Sequence, residues 1–348
     1  LDDPLIRFEG RTAPEGGAEA LRAAWNAGTA APLAANDNAA AAAFAYTDFG
    51  PPGAVVADSV EPALGIRTVR FANGVMLNVK RTDLQDDRVL VQINVDGGDM
   101  LATRDNPLAT AMVSSLPVGG LGAHTLDELQ SILAGRQVSL NADSSPETFR
   151  LSATTTPADL ELQLQVFAAA RADPGFRPAG EAQYRRNVAN FFARRFATPA
   201  SALSSSLGAI VHDGDPRESL QDEADYLALS FARLRADILE RWQGGALEVA
   251  LVGDVEEERA IALVAATLGA LPARDPAFGA WEEARQRSFT ADRAPRTIAH
   301  DGAADQALLL MTWPTRDDSD HREALVLELL ERTMRIALTD ALREELGQ

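Results

Sequence analysis

The sequence contains no cysteine, and this absence excludes disulfide bonds, thiolate zinc sites and cysteine nucleophiles together. A chain without cysteine fits an oxidising or a reducing compartment, so composition leaves the compartment open. Lysine is almost absent as well, because Lys80 is the only one. A phosphate-binding P-loop needs its lysine directly after a glycine turn, and Lys80 has no such position. No apolar run approaches the roughly 18 residues of a membrane span.

Positive charge is also in deficit. Lys and Arg number 32 against 51 Asp and Glu, which gives a formal net charge of -19 and a pI near 4.6. General nucleic-acid binders use clustered basic residues to contact phosphates, so neither nucleic acid nor an anionic membrane surface is expected as a partner. The 46% of hydrophobic residues indicates an ordinary globular protein, and 348 residues suffice for two domains.

Histidine is scarce and scattered, at His124, His212, His300 and His321. Neither H-E-x-x-H nor H-x-x-E-H occurs, so two zinc ligands on one helical turn are absent from the sequence. Ligands that only folding brings together remain open, although exposed or cap-adjacent histidines are the simpler interpretation. No G-x-S-x-G elbow occurs either. We assign no catalytic residue and no metal ligand in this chain.

The stretch "GGLGAHTLDELQSILAG" begins at Gly119 like a phosphate-binding turn. The dinucleotide pattern G-x-G-x-x-G fails because Thr125 stands where the third glycine would be. Thr125 precedes Glu128 by three residues, which is the spacing of a capping box at the start of a helix. The glycine turn is therefore interpreted as structural.

The pattern along the chain predicts a connector, one complete unit, a linker and the start of a second unit. The connector, residues 1–54, is rich in Ala, Pro and Asn, and we expect it to pack loosely around one short helix near 18–25. Asn73-Gly74 between two alternating runs predicts a β-hairpin. Further elements of the unit 55–272 are strands at 88–98, 138–144, 147–156 and 246–255 and helices at 106–116, 126–133, 157–173, 181–196, 201–211, 230–243 and 256–271.

Residues 273–291 carry Pro, Gly and charge without a clear period and are interpreted as a linker. Residues 292–348 predict strands at 296–302 and 304–313 and a helix at 320–346. Two strands and one helix make a small core, so we expect the natural protein to continue past Gln348.

The order of these elements, together with "FANGVMLNV", "GGLGAHTLDELQSILAG", "VALVGDV" and "LREELG", resembles a half of the pitrilysin/insulinase zinc metallopeptidase family, most closely the C-terminal half of bacterial members. The resemblance runs from about Gly65 to Gln348. It implies an α+β fold of duplicated units, each an antiparallel-rich sheet with helices packed on one face, with the second unit truncated. A periplasmic location is a further implication, with the cytoplasm as the alternative.

In the catalytic half of that family, H-x-x-E-H holds the zinc. Alignment places the motif on Thr110, Val113 and Ser114, which supply two hydroxyls and an aliphatic group in place of the histidines and the glutamate. The region of the further glutamate ligand lies at 183–194, and no acid occurs between Glu181 and Asp213. The resemblance therefore implies a non-catalytic, substrate-enclosing half with no cofactor of its own. Zinc is expected in a catalytic half, on the same polypeptide or in a partner subunit.

Arg343 matches an arginine that contacts the substrate backbone in the family, so the resemblance implies substrate binding there, with a peptide as the partner. The tyrosine that accompanies it would fall two residues past Gln348. The simpler interpretation of Arg343 is a solvent-facing charge favoured by the helix dipole. A further basic cluster consists of Arg185, Arg186, Arg194 and Arg195. It could form an electrostatic wall that faces an acidic partner half or substrate. The favoured interpretation is a solvated helix face whose arginine stems cover apolar surface. The alternative function is a scaffold or protein-binding module without a proteolytic role.

Overall fold

The described residues form one mixed sheet of seven strands with helices against it. The computed structural model describes residues 12, 15–30, 43–316 and 318–345. The strands lie in the order β1-β2-β3-β7-β4-β6-β5, and all neighbours are antiparallel except β3 and β7. The α+β class with an antiparallel-rich sheet is thereby confirmed. The strands are β1 (Val55–Glu61), β2 (Ile66–Phe71), β3 (Met76–Arg81), β4 (Val89–Asp96), β5 (Asn141–Ser144), β6 (Thr148–Thr155) and β7 (Leu247–Gly253).

The helices follow the predicted pattern in most places. The short helix expected near 18–25 is present, and the helices predicted at 126, 157, 181, 201, 230, 256 and 320 each begin within about three residues of their expected starts. The bounds are α1 (Gly17–Ala30), α2 (Leu126–Ile132), α3 (Leu160–Ala172), α4 (Pro178–Arg194), α5 (Pro199–Val211), α6 (Glu223–Leu227), α7 (Phe231–Gly244), α8 (Glu257–Ala266), α9 (Glu282–Arg285) and α10 (His321–Asp340).

One face of the sheet is apolar and covered, because side chains alternate along each strand. In β4 the covered face carries Val89, Val91, Ile93 and Val95, all buried. The helices α3, α7 and α8 contact the strands and close this core. The opposite face of the central strands remains half-exposed.

The hairpin signal at Asn73-Gly74 is confirmed. The Phe71 N–H donates to Val75 O at 2.9 Å, and Gly74 has φ 93°, which favours glycine. The Asn73 side chain donates to the carbonyls of Leu268 and Leu271, so the turn also holds the end of the α8 region. The edge strand β1 was not predicted from the sequence, since all seven of its residues are exposed and it lacks the alternation of a half-buried strand.

The helix predicted over 106–116 is wrong. The segment forms turns followed by a 3₁₀ helix at Val113–Gly119. Its backbone bonds run from residue i to i−3, as in Val113 N–H to Thr110 O and Ser115 N–H to Met112 O. Pro117 follows the segment directly and disfavours the α conformation at the residue before it, whereas Pro107 stands in the first turn, where proline is tolerated.

The strands predicted at 296–302 and 304–313 are also wrong. Both segments are irregular and mostly exposed, including Leu309 at 83% and Trp313 at 62%. A strand needs a neighbour to complete its backbone hydrogen bonds, and neither segment pairs with one in the described part of the chain. The helix expected at 320–346 is confirmed as α10, whose N-cap Asp320 accepts from Arg322 N–H and Glu323 N–H. Residues 346–348 lie outside the described residues.

Candidate functional site

The three positions of the degenerate zinc motif have different surroundings. Val113 is fully buried in the hydrophobic core, whereas Ser114 is exposed. Thr110 is buried, and its hydroxyl donates to Asp99 Oδ1 at 2.7 Å. The Ser144 hydroxyl donates to the same oxygen at 2.6 Å. The Asp99 carboxylate therefore connects residues 98–101 to Thr110 and to Ser144 of β5 through two hydrogen bonds.

These residues do not fit a zinc ion. Zinc takes imidazole, thiolate or carboxylate donors, whereas Thr110 and Ser114 offer hydroxyls and Val113 offers none. Asp99 already accepts two hydrogen bonds. Within the described residues, no group of three or more His, Cys, Asp or Glu side chains is placed to hold a metal ion. The helix α4, where a further glutamate ligand would lie, has Glu181 as the acid of its first turn, and Glu181 accepts from Phe231 N–H and Arg185.

The glycine turn of residues 119–124 surrounds the guanidinium group of Arg177. Nη1 of Arg177 lies 2.9 Å from the carbonyl oxygens of both Gly119 and His124, and Nη2 lies 2.6 Å from Gly122 O. Leu121 O accepts from the same guanidinium. The backbone carbonyls thus point inward at one side chain, and the turn's polar groups are occupied by the chain itself. The expected capping box of Thr125 and Glu128 is present.

Residues 44–46 of the connector pack against this turn, so the loose packing expected for residues 1–54 does not extend to them. Ala45 N–H donates to Nε2 of His124 at 2.9 Å, and the Phe44 ring stacks on the His124 ring. Tyr46 donates its hydroxyl to Asp173 at 2.7 Å and accepts from Ala123 N–H. Burial, followed by the bond to Asp173, raises the pKa of Tyr46 to about 12. His124 is thereby a buried, cap-adjacent histidine.

Arg343 lies far along the chain from the other predicted positions, in the short π-helical turn Ala341–Glu345 after α10. It is exposed, and α10 has no buried residue. Apolar side chains of α10 such as Leu325, Leu329 and Ile336 are also exposed. The structure therefore leaves the predicted role of Arg343 untested.

The arginine-rich helix α4 is mostly solvated on its basic side. Arg185 pairs with Glu181 at 3.1 Å, and Arg186 donates to Gln183 at 2.6 Å. Phe192 is buried, whereas Phe191 is half exposed. These contacts are those of a surface helix whose apolar stripe faces the core.

The open face of the sheet, which we define as the side of β2, β3, β7, β4 and β6 opposite the helices, carries two clusters of polar side chains with Ala250 of β7 between them. The Thr68 hydroxyl donates to Asn78 Oδ1 at 2.7 Å, and the Asn78 amide donates to Glu248. On β4, the Gln92 amide donates to Asn94 Oδ1 at 2.9 Å. These groups are half-exposed and hold one another, so the face presents fixed amide and hydroxyl groups.

A groove of about 1010 Å³ lies between residues 100–104 and 281–288. Asp215 is buried beside it and binds Arg217 at 2.7 Å and Arg104 at 3.0 Å. Arg217 also donates to Gln286 O, so this ion pair fastens residues 281–288 to the unit. The hydrogen bond from Arg217 holds the pKa of Asp215 well below its usual range, against the opposing effect of burial.

We expect this ion pair to make stability acid-sensitive. A carboxylate with a lowered folded-state pKa contributes stability above its unfolded pKa of about 3.9 and loses it as the pH falls toward the folded pKa. Asp215→Asn should lower the free energy of unfolding by about 3 kcal/mol at pH 7, because it leaves Arg217 without its partner. The deficit should shrink below about pH 4. Urea unfolding at several pH values checks this, and a deficit independent of pH would contradict it.

Comparisons with known proteins agree with this fold. Residues 228–348 match the family model described as the peptidase M16 inactive domain. No curated protein sequence matches the chain significantly. The structure is similar to the periplasmic protease PqqL from Escherichia coli, with 15% identity, a TM-score of 0.59 and coverage of 70% of this chain and 27% of that one.

None of the described helices is both long and apolar enough to cross a membrane.

Two further solved structures share the fold. The ferredoxin protease FusC, solved with Arabidopsis ferredoxin, has 17% identity, a TM-score of 0.59 and coverage of 78% of this chain and 29% of that chain. A protease from Helicobacter pylori has 18% identity, a TM-score of 0.52 and coverage of 60% and 51%. The matched region thus spans less than a third of PqqL and FusC, and identities this low establish the fold alone.

Proposed function

We propose that this chain, the non-catalytic C-terminal half of a peptidase M16 protein by its family-model match and its fold, encloses peptide substrate against a zinc-bearing catalytic half. The observation that carries the proposal is the combination of an M16 sheet with hydroxyl and aliphatic groups at the motif positions. Hydrolysis then belongs to the partner half, on the same polypeptide or in another subunit, where zinc would activate a water molecule.

The open face of the sheet supports the enclosing role. Its amides and hydroxyls on Asn78, Gln92 and Asn94 are half-exposed, and no described helix covers that side as α3, α7 and α8 cover the other. A polar wall closed over a peptide excludes bulk water from the reacting bond without needing a metal of its own. Fixed side-chain amides can bind the backbone of many peptide sequences, which suits a chamber wall better than a specificity pocket.

Arg343 is proposed to bind the substrate backbone. A guanidinium presents five N–H donors and no acceptor, so it suits carbonyl oxygens of an extended peptide. Its exposure at the end of α10 leaves those donors accessible. Periplasmic location is likewise proposed, on the likeness to a periplasmic protease.

The division into a connector (1–54), a complete unit (55–272), a linker (273–291) and the start of a second unit (292–348) is also a proposal. The whole sheet lies within 55–253, and the hydrophobic core extends no further than Leu271. The exposed apolar side of α10 supports a separate second unit, because such a stripe normally packs against other elements of its own core.

The test is reconstitution. Purified alone, the chain should contain no stoichiometric zinc and cleave no fluorogenic peptide. Combined with an M16 half that carries H-x-x-E-H, from the same reading frame or a neighbouring gene, it should raise chelator-sensitive cleavage. Stoichiometric zinc with turnover by the chain alone contradicts the proposal, and absence of any H-x-x-E-H partner favours a scaffold.

A matched pair of variants tests the wall itself. Gln92→Trp places a bulky ring on the open face, whereas Gln130→Trp places it on the exposed side of α2. In the reconstituted enzyme, Gln92→Trp should lower kcat/KM for long peptides more than for short ones, and Gln130→Trp should leave both unchanged. Equal effects of the two variants would contradict an enclosing role for this face.

A further inference from the structure

Arg171 is a buried cation without a hydrogen-bond partner. It lies in the last turn of α3 and is 1% exposed. Among the described residues, nothing accepts a hydrogen bond from its Nε, Nη1 or Nη2. Its guanidinium carbon lies 4.8 Å from the ring centroid of Trp242, which covers one face of the group and leaves its edge donors unused.

A second arginine faces the same region. Arg274 follows the end of the core at Leu271, and its N–H donates to Asn73 O at 3.0 Å. Its Nε and Nη1 are buried and also lack acceptors among the described residues. Burial lowers the pKa of Arg274 to about 10, and burial together with the charge of Arg274 lowers the pKa of Arg171 well below its ordinary value. Both effects oppose the charged forms.

A fully buried cation next to a partly buried one, with no counter-ion among the described residues, is costly. Arginine does not give up its proton in proteins, so deprotonation cannot remove the cost of burying its charge. A buried charge is ordinarily paired or fully hydrogen-bonded, since desolvation exceeds what a single aromatic contact returns. The C-terminal end of α3 offers only a partial negative charge near Arg171. The site therefore lacks one full negative charge among its described neighbours.

We propose that Arg171 and Arg274 together bind one small monatomic anion, chloride. The five unused nitrogens of the two guanidinium groups supply its donors, and Trp242 forms an apolar floor. A monatomic anion accepts several N–H bonds at once and needs little space, which suits nitrogens that are shielded from solvent. The site is independent of the proposed peptidase role, because it lies within the α3–α7 side of the core and away from the open face.

The test is halide-dependent stability of the full chain. Replacing sodium gluconate by sodium chloride at constant ionic strength should raise the Tm saturably, by about 5–10 °C once chloride exceeds its Kd about a hundredfold. Crystals soaked in bromide should show an anomalous peak between the two guanidinium groups. A Tm that follows ionic strength alone, or bromide bound only elsewhere, would overturn the proposal in favour of buried water.

Three variants separate binding from general salt effects. Arg171→Met should abolish the chloride response and be more stable than the unsubstituted chain in chloride-free buffer, because an apolar side chain replaces an unpaired buried charge. Arg274→Met should weaken the response, and it serves as the test should Arg171→Met not fold. Arg259→Met, on the exposed side of α8, should respond as the unsubstituted chain does. An undiminished response in both Arg171→Met and Arg274→Met would refute the site.

Discussion

Replacing Arg177 by methionine should lower the free energy of unfolding by about 2–4 kcal/mol. The guanidinium lies within hydrogen-bond distance of four carbonyl oxygens of residues 119–124, and no other described side chain donates to them. Hydrogen bonds from a charged donor contribute about 1.5–3 kcal/mol each, but bonds that share one group do not add. Urea unfolding at pH 7 measures the loss.

The consequences of losing Arg177 should spread to the connector. His124 contributes one of the four carbonyls and also accepts from Ala45 N–H, so a disordered turn releases residues 43–46. Hydrogen exchange at the Ala45 amide should therefore accelerate in Arg177→Met. Arg177→Lys should recover only part of the stability, because an ammonium cannot reproduce the planar fork. Arg186→Met, exposed on α4, which begins directly after Arg177, is the control, and an equal loss in that variant would refute the interpretation.

Replacing Arg343 by alanine should lower kcat/KM of the reconstituted peptidase by about 10²-fold, the usual effect of removing one donor near a reacting carbonyl. The prediction rests on the proposed function. Most of the loss should fall on kcat, because a bond that forms near the scissile carbonyl strengthens in the transition state. Peptide hydrolysis kinetics of the two-half enzyme measure the effect.

The stability of the chain should not change in Arg343→Ala, since the side chain is exposed. Arg322→Ala, in the first turn of α10, provides a matched control that removes the same kind of exposed side chain from the other end of that helical segment. A kcat/KM within twofold of the unsubstituted enzyme for Arg343→Ala would exclude the proposed contact and leave Arg343 as a solvated helix-end charge.

Much of the first unit could be predicted because its signals are local. The Asn73-Gly74 turn, the alternating runs on either side of it and the Thr125–Glu128 capping box each depend on residues close in sequence, and all three are confirmed. The segment 106–116 was wrongly predicted as a helix, because an apolar run cannot distinguish an α-helix from buried turns without its neighbours.

Asp99 and Arg177 could not have been identified from the sequence. Asp99 lies in "VDGGDML", which reads as an ordinary loop, and its partners Thr110 and Ser144 are 11 and 45 residues away. Arg177 is 53 to 58 residues from the carbonyls that it binds. Such pairs are decided by which loops the sheet brings side by side.

The sequence by itself determined the charge, the absence of thiols, the periodicity of most elements and the hydroxyl and aliphatic groups at the motif positions. These are properties of single residues or of one turn of backbone, and folding does not alter them. Only the tertiary structure decided which polar groups are occupied, because hydrogen-bond satisfaction depends on distances between remote segments. In the folded chain the Arg177 guanidinium binds the carbonyls of the glycine turn, and the Thr110 hydroxyl donates to Asp99. Arg171 is buried near a second cation, Arg274.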